Sequence, residues 1–249
     1  MSLALHHLRT EQLLYWRSRE LAFFTFALPI VFFVLLGSVY GDDEIDGVDG
    51  SAYLLAGILG YGVSATAFAG LAIMTVIRRE DGVLKRLRGT PLPPWAYVVA
   101  VIASTLLVYA IEAVCLILLG RLLFDVPFPD RWLSVVLTLL LGGLTFAALG
   151  LGLTGVIRSA EGSSAVVNAI YLPMAFISGS FFSTTAFPPV VEAIAEVLPL
   201  TYFIELTRDV LLKNEDIWSN GTAVAVIVAW GIAGTVAAMR WFRWEPQEG

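Results

Sequence analysis

Charged residues are so unevenly spaced along this chain that they leave uncharged runs at residues 21–41, 50–77, 89–111, 132–157, 162–191 and 217–239. Each run is long enough to cross a bilayer as a helix, which takes about 20 residues. The pattern predicts six transmembrane helices, at 21–40, 52–77, 95–119, 133–156, 165–183 and 220–240. Between the second and third lies Arg78–Pro94, RREDGVLKRLRGTPLPP, in which Val83, Leu84 and Leu87 fall on one helical face and Lys85, Arg86 and Arg88 on the other. This spacing predicts a short amphipathic helix at a membrane surface, placed where a soluble machine can grip it.

Two further segments carry helical spacing without the length of a span. Over residues 1–20, Leu5, Leu8 and Trp16 alternate with Arg9, Glu11, Arg17 and Arg19, which predicts an interface helix lying flat on the inner leaflet; the alternative is a frayed, solvated tail. Between the fifth and sixth spans, residues 184–216 hold two patterns, Val190–Val197 and Tyr202–Leu212, separated by Leu198 and Pro199. Pro188 and Pro189 open the first and Pro199 breaks the chain before the second. Their apolar faces, with Val190, Ile194 and Val197 and then Ile204, Leu211 and Leu212, predict an external hairpin that re-enters the outer leaflet or caps the bundle.

Composition agrees with this reading: 58% of residues are hydrophobic, 14% are charged and the mean hydropathy is +0.81, far from soluble usage. The expected fold is an all-α polytopic membrane protein forming one domain over residues 1–249, because the loops are too short to hold a second core. The first apolar run is longer than the core of a secretory signal, which takes about 7–15 residues, so it is expected to stay attached as an anchor.

Charge sets the orientation. With the amino terminus inside, Arg9, Arg17, Arg19, Arg78, Arg79, Lys85, Arg86, Arg88, Arg158, Arg240 and Arg243 are cytoplasmic, and only Arg121, Arg131, Arg208 and Lys213 are outside. Both termini are therefore expected in the cytoplasm. The first outer loop gathers Asp42, Asp43, Glu44, Asp46 and Asp49, which accounts for much of the net charge of −6 and argues against a nucleic-acid partner.

The missing groups limit the chemistry. No Gly-rich turn ends in Lys and Ser or Thr, so the chain carries no phosphate-cradling loop, and ATP and Mg are not expected to bind it. His6 and His7 precede the first span, no pair of aspartates lies within a span, and Cys115 stands alone. No catalytic residue, metal site or bound cofactor is therefore expected. Gly150, Gly152 and Gly155 match a dinucleotide fingerprint but sit inside an apolar span with no preceding strand; small residues there let helices approach closely. Asn220, Gly221 and Thr222 form a glycosylation sequon, but it abuts the last span and is not expected to be used.

Glu112 is the one formal charge inside a span, and an intramembrane acid is costly enough to be a functional candidate. Counting from Trp95 at 1.5 Å per residue places it about 25 Å up the helix, toward the outer end. There it is expected to reach outer water or to pair with Arg121.

RREDGVLKRLRGTPL resembles the cytoplasmic loop of ABC-2 type transporter permeases, and SGSFFSTTAFPPVVEAIAEVLPLTYFIELTRDVLL resembles their stretch from the fifth span into the external helices. In the second string Gly179, Phe182, Phe187, Pro188, Pro199, Leu200, Thr201, Tyr202 and Arg208 fall where the family places recurring residues. Val83 departs from the usual Gly-Thr-Leu continuation. The resemblance covers essentially the whole chain. It implies a permease subunit paired with a second permease chain, typically as a homodimer, and docked on two copies of a cytoplasmic ABC ATPase that holds ATP and Mg.

On that resemblance Arg79, Glu80, Leu84, Arg86 and Arg88 are the ATPase-coupling residues, and Phe187, Pro199, Tyr202, Glu205 and Arg208 form an external gate. The alternative is that the basic residues only obey the inward charge bias and touch lipid headgroups. Phe26 and Phe33 of the first span, with Tyr171, Phe176 and Phe182 of the fifth, are candidates for a substrate path; Phe24, Phe32 and Phe181 offer similar surface. Such a path suits a hydrophobic or amphipathic cargo, a drug or a lipid-like molecule. An ion-coupled carrier, a polysaccharide-exporting permease of the same family and a scaffold that transports nothing are the competing readings.

Overall fold

The computed structural model describes residues 3–41, 43–90, 93–184 and 187–245. Asp42 of the acidic loop, Pro91 and Leu92 of the basic segment, and Thr185 and Ala186 of the external segment lie outside them. Helix α1, Leu3–Arg17, is followed after Ser18 by α2, Arg19–Tyr40. Two short strands, β1 at Glu44–Ile45 and β2 at Val48–Asp49, form an antiparallel hairpin with Ile45 opposite Val48. Its turn residues Asp46 and Gly47 both have left-handed backbones, φ 51° and 77°, the geometry that an Asp-Gly pair favours in a two-residue hairpin. This small sheet is an addition to the all-α expectation, since hydropathy carries no trace of strands so short.

The hairpin leads directly into the central span. The carboxylate of Asp49 accepts from the backbone N–H groups of Ser51 and Ala52, capping α3, Gly50–Val63. A π-helical segment, Ser64–Gly70, joins α3 to α4, Leu71–Glu80. Together they make one helix of 31 residues that is 83% buried over its most apolar stretch, whereas α2 is 17% buried. Because a lipid-facing helix keeps its apolar surface exposed, this contrast places α3–α4 at the centre of the bundle and α2 at its edge.

After Asp81 and a left-handed Gly82 (φ 69°) come α5, Val83–Arg88, and the long α6, Pro94–Phe124. Then follow α7, Trp132–Leu153, α8, Ala160–Ile177, α9, Pro189–Ala195, α10, Pro199–Leu212, and α11, Gly221–Trp241. Pro94, Pro189 and Pro199 each begin a helix, where a missing N–H costs nothing. Helix α7 packs against α11 with small residues at the contact. A methyl group on Gly152 would meet Ala237 and the Gly234 carbonyl, and one on Gly150 would meet the carbonyls of Ala67 and Phe68. The glycine cluster thus serves close packing, as its apolar setting predicts.

Five helices among the described residues are long and apolar enough to cross a membrane: Arg19–Tyr40, Gly50–Glu80, Pro94–Phe124, Trp132–Leu153 and Gly221–Trp241. The span expected at 165–183 corresponds to α8, which is 18 residues long, begins in the polar run Glu161-Gly162-Ser163-Ser164 and contains Pro173. It is not among the five, yet it runs between the same two ends of the bundle. At one end the Ile157 carbonyl before α8 is held by Arg79, and at the other the Gly179 carbonyl after it is held by Arg208.

Hydrogen bonds and ion pairs sort the connections into those two ends. The basic end joins Arg78 to Glu11 at 2.8 Å and Arg88 to Glu245 at 3.8 Å. The opposite end joins Ser183 to Asp46 at 2.7 Å, the Asp130 amide to Asn214 at 3.0 Å, and Arg131 to Asp216.

Candidate functional site

The basic end holds the segment expected to be gripped. Leu84 is fully buried, Val83 and Leu87 are half-buried, and Lys85, Arg86 and Arg88 are exposed, so α5 turns the two faces that its spacing predicts. Left-handed Gly82 lets the chain reverse within one turn after α4 and lay α5 against the bundle. Leu84 anchors it there by burial in the core.

Arg79 departs from its expected role. Its side chain is 1% exposed and its guanidinium donates to the carbonyls of Thr154 at 2.8 Å and Ile157 at 2.5 Å. These carbonyls lie at and just beyond the end of α7, where helical oxygens lack intrahelical donors, so Arg79 caps α7 from a neighbouring helix. It offers nothing to a soluble partner; it ties α4 to α7. Glu80, half-buried at the last position of α4, sits between this anchor and α5. Of the five coupling candidates, Arg86 and Arg88 present themselves outward, while Arg79 and Leu84 hold the support.

Glu112 does not meet the outer water or the Arg121 partner that the sequence suggests. It is 1% exposed and accepts a hydrogen bond of 2.9 Å from Thr66 in the π-helical segment. Arg121 pairs instead with Asp125, at 3.7 Å. Space for the buried carboxyl comes from Gly62, where a methyl group would collide with Glu112 Oε1.

The aromatic candidates divide. Tyr171 and Phe176 belong to one cluster with Phe32, Tyr61 and Phe181: Tyr61 lies 5.9 Å from Tyr171 and 5.4 Å from Phe181, and Phe176 lies 5.0 Å from Phe181. Phe182 follows directly and is exposed. Phe26 is elsewhere, stacked on Trp16 of α1 at 5.7 Å, and Phe33 is fully buried against Phe124 at 5.2 Å. The two first-span candidates therefore do not join the fifth-span ones in a single path. Tyr61, which joins the cluster from α3, escapes sequence reading because every neighbour in that span is apolar or small.

A cavity of about 300 Å³ opens instead between α1, α2, the π-helical segment with α4, and α6. Its lining includes Glu11, Thr25, Thr66, Thr75, Arg78, Ser104 and Thr105. Helix α1 forms one wall, held by the Arg78 ion pair to Glu11 and by Gln12, which donates to the Ser104 carbonyl at 3.0 Å and its Oγ at 2.8 Å. The signal for this site in the sequence is a scatter of hydroxyl residues over three apolar spans, too sparse to phase without the fold.

At the opposite end, the two short helices of the external segment form as α9 and α10. Helix α10 caps the bundle: Leu200, Phe203, Ile204, Leu206 and Val210 are buried, while Val190, Ile194 and Val197 around α9 stay exposed. Arg208 lies 3.6 Å above the Tyr53 ring centroid and donates to the Gly179 carbonyl at 2.7 Å. Glu205 and Asp209 both accept from the Asn220 amide, at 3.0 and 2.9 Å. Asn220 Oδ1 in turn accepts from the Ala223 amide and caps α11, which leaves the sequon asparagine fully engaged. Asp209 also takes a hydrogen bond of 2.7 Å from Lys213 and raises that ammonium's pKa. Of the remaining gate candidates, Pro199 is buried and Phe187 and Tyr202 are half-buried.

A bundle of apolar helices carrying an outward basic helix at one end and a capping helical pair at the other is the membrane body of a transport permease. The chain belongs to the ABC-2 type transporter family, whose pattern it matches over residues 5–212, and it is a multi-pass inner-membrane protein. It is 23% identical over 215 residues to a Bacillus subtilis protein named as transport permease YvfS, covering 86% of each chain. It is 26% identical over 205 residues to the inner membrane transport permease YadH of Escherichia coli, covering 80% of this chain and 78% of that one. A protein named as multidrug ABC transporter permease YbhR, also from Escherichia coli, is 22% identical over 154 residues, which span 61% of this chain and 42% of the relative.

Proposed function

We propose that this chain is the transmembrane subunit of an exporter driven by a separate cytoplasmic ABC ATPase, present in two copies that hold ATP and Mg. Both termini face the cytoplasm, α8 crosses the membrane as a sixth span, and a second permease chain, most simply an identical one, completes the pathway. The observation that carries this reading is the mounting of α5. Its exposed Lys85, Arg86 and Arg88 sit on a helix whose other face is locked into the bundle by Leu84, one turn beyond an Arg79 that ties α4 to α7. A push on that basic face therefore moves several spans rather than one loop.

The cargo is proposed to be a hydrophobic or amphipathic molecule, a drug or a lipid-like compound. The apolar aromatic cluster around Tyr61 and the multidrug name of the relative YbhR support this class. Burial of Glu112 beside a π-helical segment gives the ion-coupled carrier a specific observation in its favour, since such groups mark proton and ion pathways.

Reconstitution separates the two. Vesicles containing the chain together with its ATPase are expected to move a fluorescent amphipathic dye only when ATP is supplied. Gradient-driven uptake by vesicles holding the chain alone would overturn the proposal and install the ion-coupled reading.

A further inference from the structure

The polar atoms around the cavity beside α1 are arranged unlike an ordinary packing defect. Thr25, Thr75 and Thr105 each spend their hydroxyl proton on a carbonyl one turn back, Leu21, Leu71 and Val101, at 2.9, 2.6 and 3.0 Å. Thr66 spends its proton on Glu112. What these groups leave for an occupant is oxygen lone pairs, because a threonine hydroxyl has one proton to give and two positions to accept. The charges at the cavity's Glu11–Arg78 margin already compensate each other through their 2.8 Å ion pair. Tyr15, Ser18 and Ser104 add hydroxyls that can give a proton as well as accept one, so acceptor positions outnumber donors around the space, and the remaining lining is apolar, including Leu14, Leu71 and Met74.

From this we infer that the cavity binds an amphipathic molecule whose head donates hydrogen bonds, a primary amine or a polyhydroxylated head on a single apolar chain. A volume of about 300 Å³ lies at the small end of ligand sites, so it holds one head and the first part of a chain, with the rest leaving between α1 and the bundle. Helix α1 is the wall that must yield for entry, and it is held by the Glu11–Arg78 and Gln12–Ser104 contacts and by the ring contacts of Trp16 with Phe26 and His7 with Tyr97. The π-helical segment shapes the floor. Ala65, Thr66 and Gly70 are the half-buried members of this otherwise buried segment, and all line the cavity.

The site also lies close to the coupling helix. Met74, Thr75 and Arg78 are on the last turns of α4, directly before α5, so an occupant that shifts α4 shifts Val83–Arg88 with it. The role of this site as the place where cargo is sensed rests on the permease reading above; the binding itself does not.

The test uses the full chain in nanodiscs of zwitterionic phospholipid, with no ATPase, and a photoreactive alkylamine as probe. Saturable adducts are expected in residues 14–25, 65–75 and 101–108, displaced by dodecylamine at concentrations about tenfold below those of dodecanoate. Ala65→Phe, which fills the cavity, is expected to abolish saturable labelling. Should that variant fail to fold, the paired Thr25→Val and Thr75→Val changes remove two acceptors with little change in shape, and they should shrink the preference for the amine severalfold. Non-saturable labelling, adducts spread over the lipid-facing side of α2 and α11, stronger displacement by dodecanoate, or indifference to both variants would each overturn the inference. Because no transport is measured, failure of the export assay with binding intact would overturn the permease reading alone.

Discussion

The guanidinium of Arg79 bridges the carbonyl oxygens of Thr154 and Ile157, so a basic residue counted among those that meet a partner is the bolt between two spans. A buried hydrogen bond to a charged group is worth about 1.5–3 kcal/mol, and truncation leaves the acceptors unsatisfied. Arg79→Ala is therefore expected to destabilise the detergent-solubilised protein by about 3 kcal/mol, read as a lower melting temperature. Arg79→Lys should not rescue it, because a single ammonium cannot reproduce the planar fork.

Arg86 and Arg88 should behave in the opposite way. Both are exposed, and the ion pair of Arg88 with Glu245 is long and solvated, so replacing either with alanine should leave the stability, read from the melting transition, within about 0.5 kcal/mol of the parent. The same variants should lose stimulation of ATP hydrolysis by cargo. Leu84→Ala gives the third pattern, loss of both, since a fully buried leucine costs about 2–5 kcal/mol to remove. Normal coupling in Arg86→Ala and Arg88→Ala would remove α5 from the drive.

How far the sequence reached depends on the range of the interaction. The two faces of α5 and the opening of α9 and α10 at prolines are local consequences of spacing and backbone chemistry, and they were legible. Arg79 was not, because its partner Thr154 lies 75 residues away and nothing nearby distinguishes it from Arg78. Height along a helix placed Glu112, but only packing decides which surfaces meet, and Gly62 and Thr66 turned an expected outer-water contact into a buried one. The α1 cavity was invisible for the same reason: its wall and floor come from segments whose hydroxyls converge only in the fold.

Gly62 and Glu112 should be coupled. Gly62→Ala pushes a methyl group into the carboxyl and is expected to cost about 1–3 kcal/mol, the usual penalty for overpacking. Shortening the acid, as Glu112→Ala, frees that space, so the double variant should be more stable than the sum of the single effects by about 0.5–3 kcal/mol. Additive losses in a double-mutant cycle of melting free energies would show that the two side chains do not share the site.

Tyr53 and Arg208 offer a test of what holds the capping helix. The cation rests over the ring face, so Tyr53→Phe should keep most of the attraction while Tyr53→Leu loses about 1–2 kcal/mol. Limited proteolysis of the α9–α10 segment reads the difference: faster cleavage is expected in Tyr53→Leu and in Arg208→Ala, and near-parental cleavage in Tyr53→Phe.

Asn220 joins that cap to the last span, and its two ends demand different chemistry. The Oδ1 atom caps α11 through the Ala223 amide, a role in which Asp is as good as Asn. The Nδ2 atom is shared between the carboxylates of Glu205 and Asp209, a role that Asp reverses by bringing a third negative charge to the pair. Asn220→Ala loses the cap and should cost about 0.5–2 kcal/mol. Asn220→Asp keeps the cap and adds repulsion, so at neutral pH it should be at least as destabilising as Asn220→Ala, which is the reverse of their order at an isolated helix start. Adding Glu205→Gln should restore part of the loss in Asn220→Asp and little in Asn220→Ala. Equal melting temperatures for Asn220→Asp and the parent would mean that the carboxylates do not meet Asn220 in the working protein.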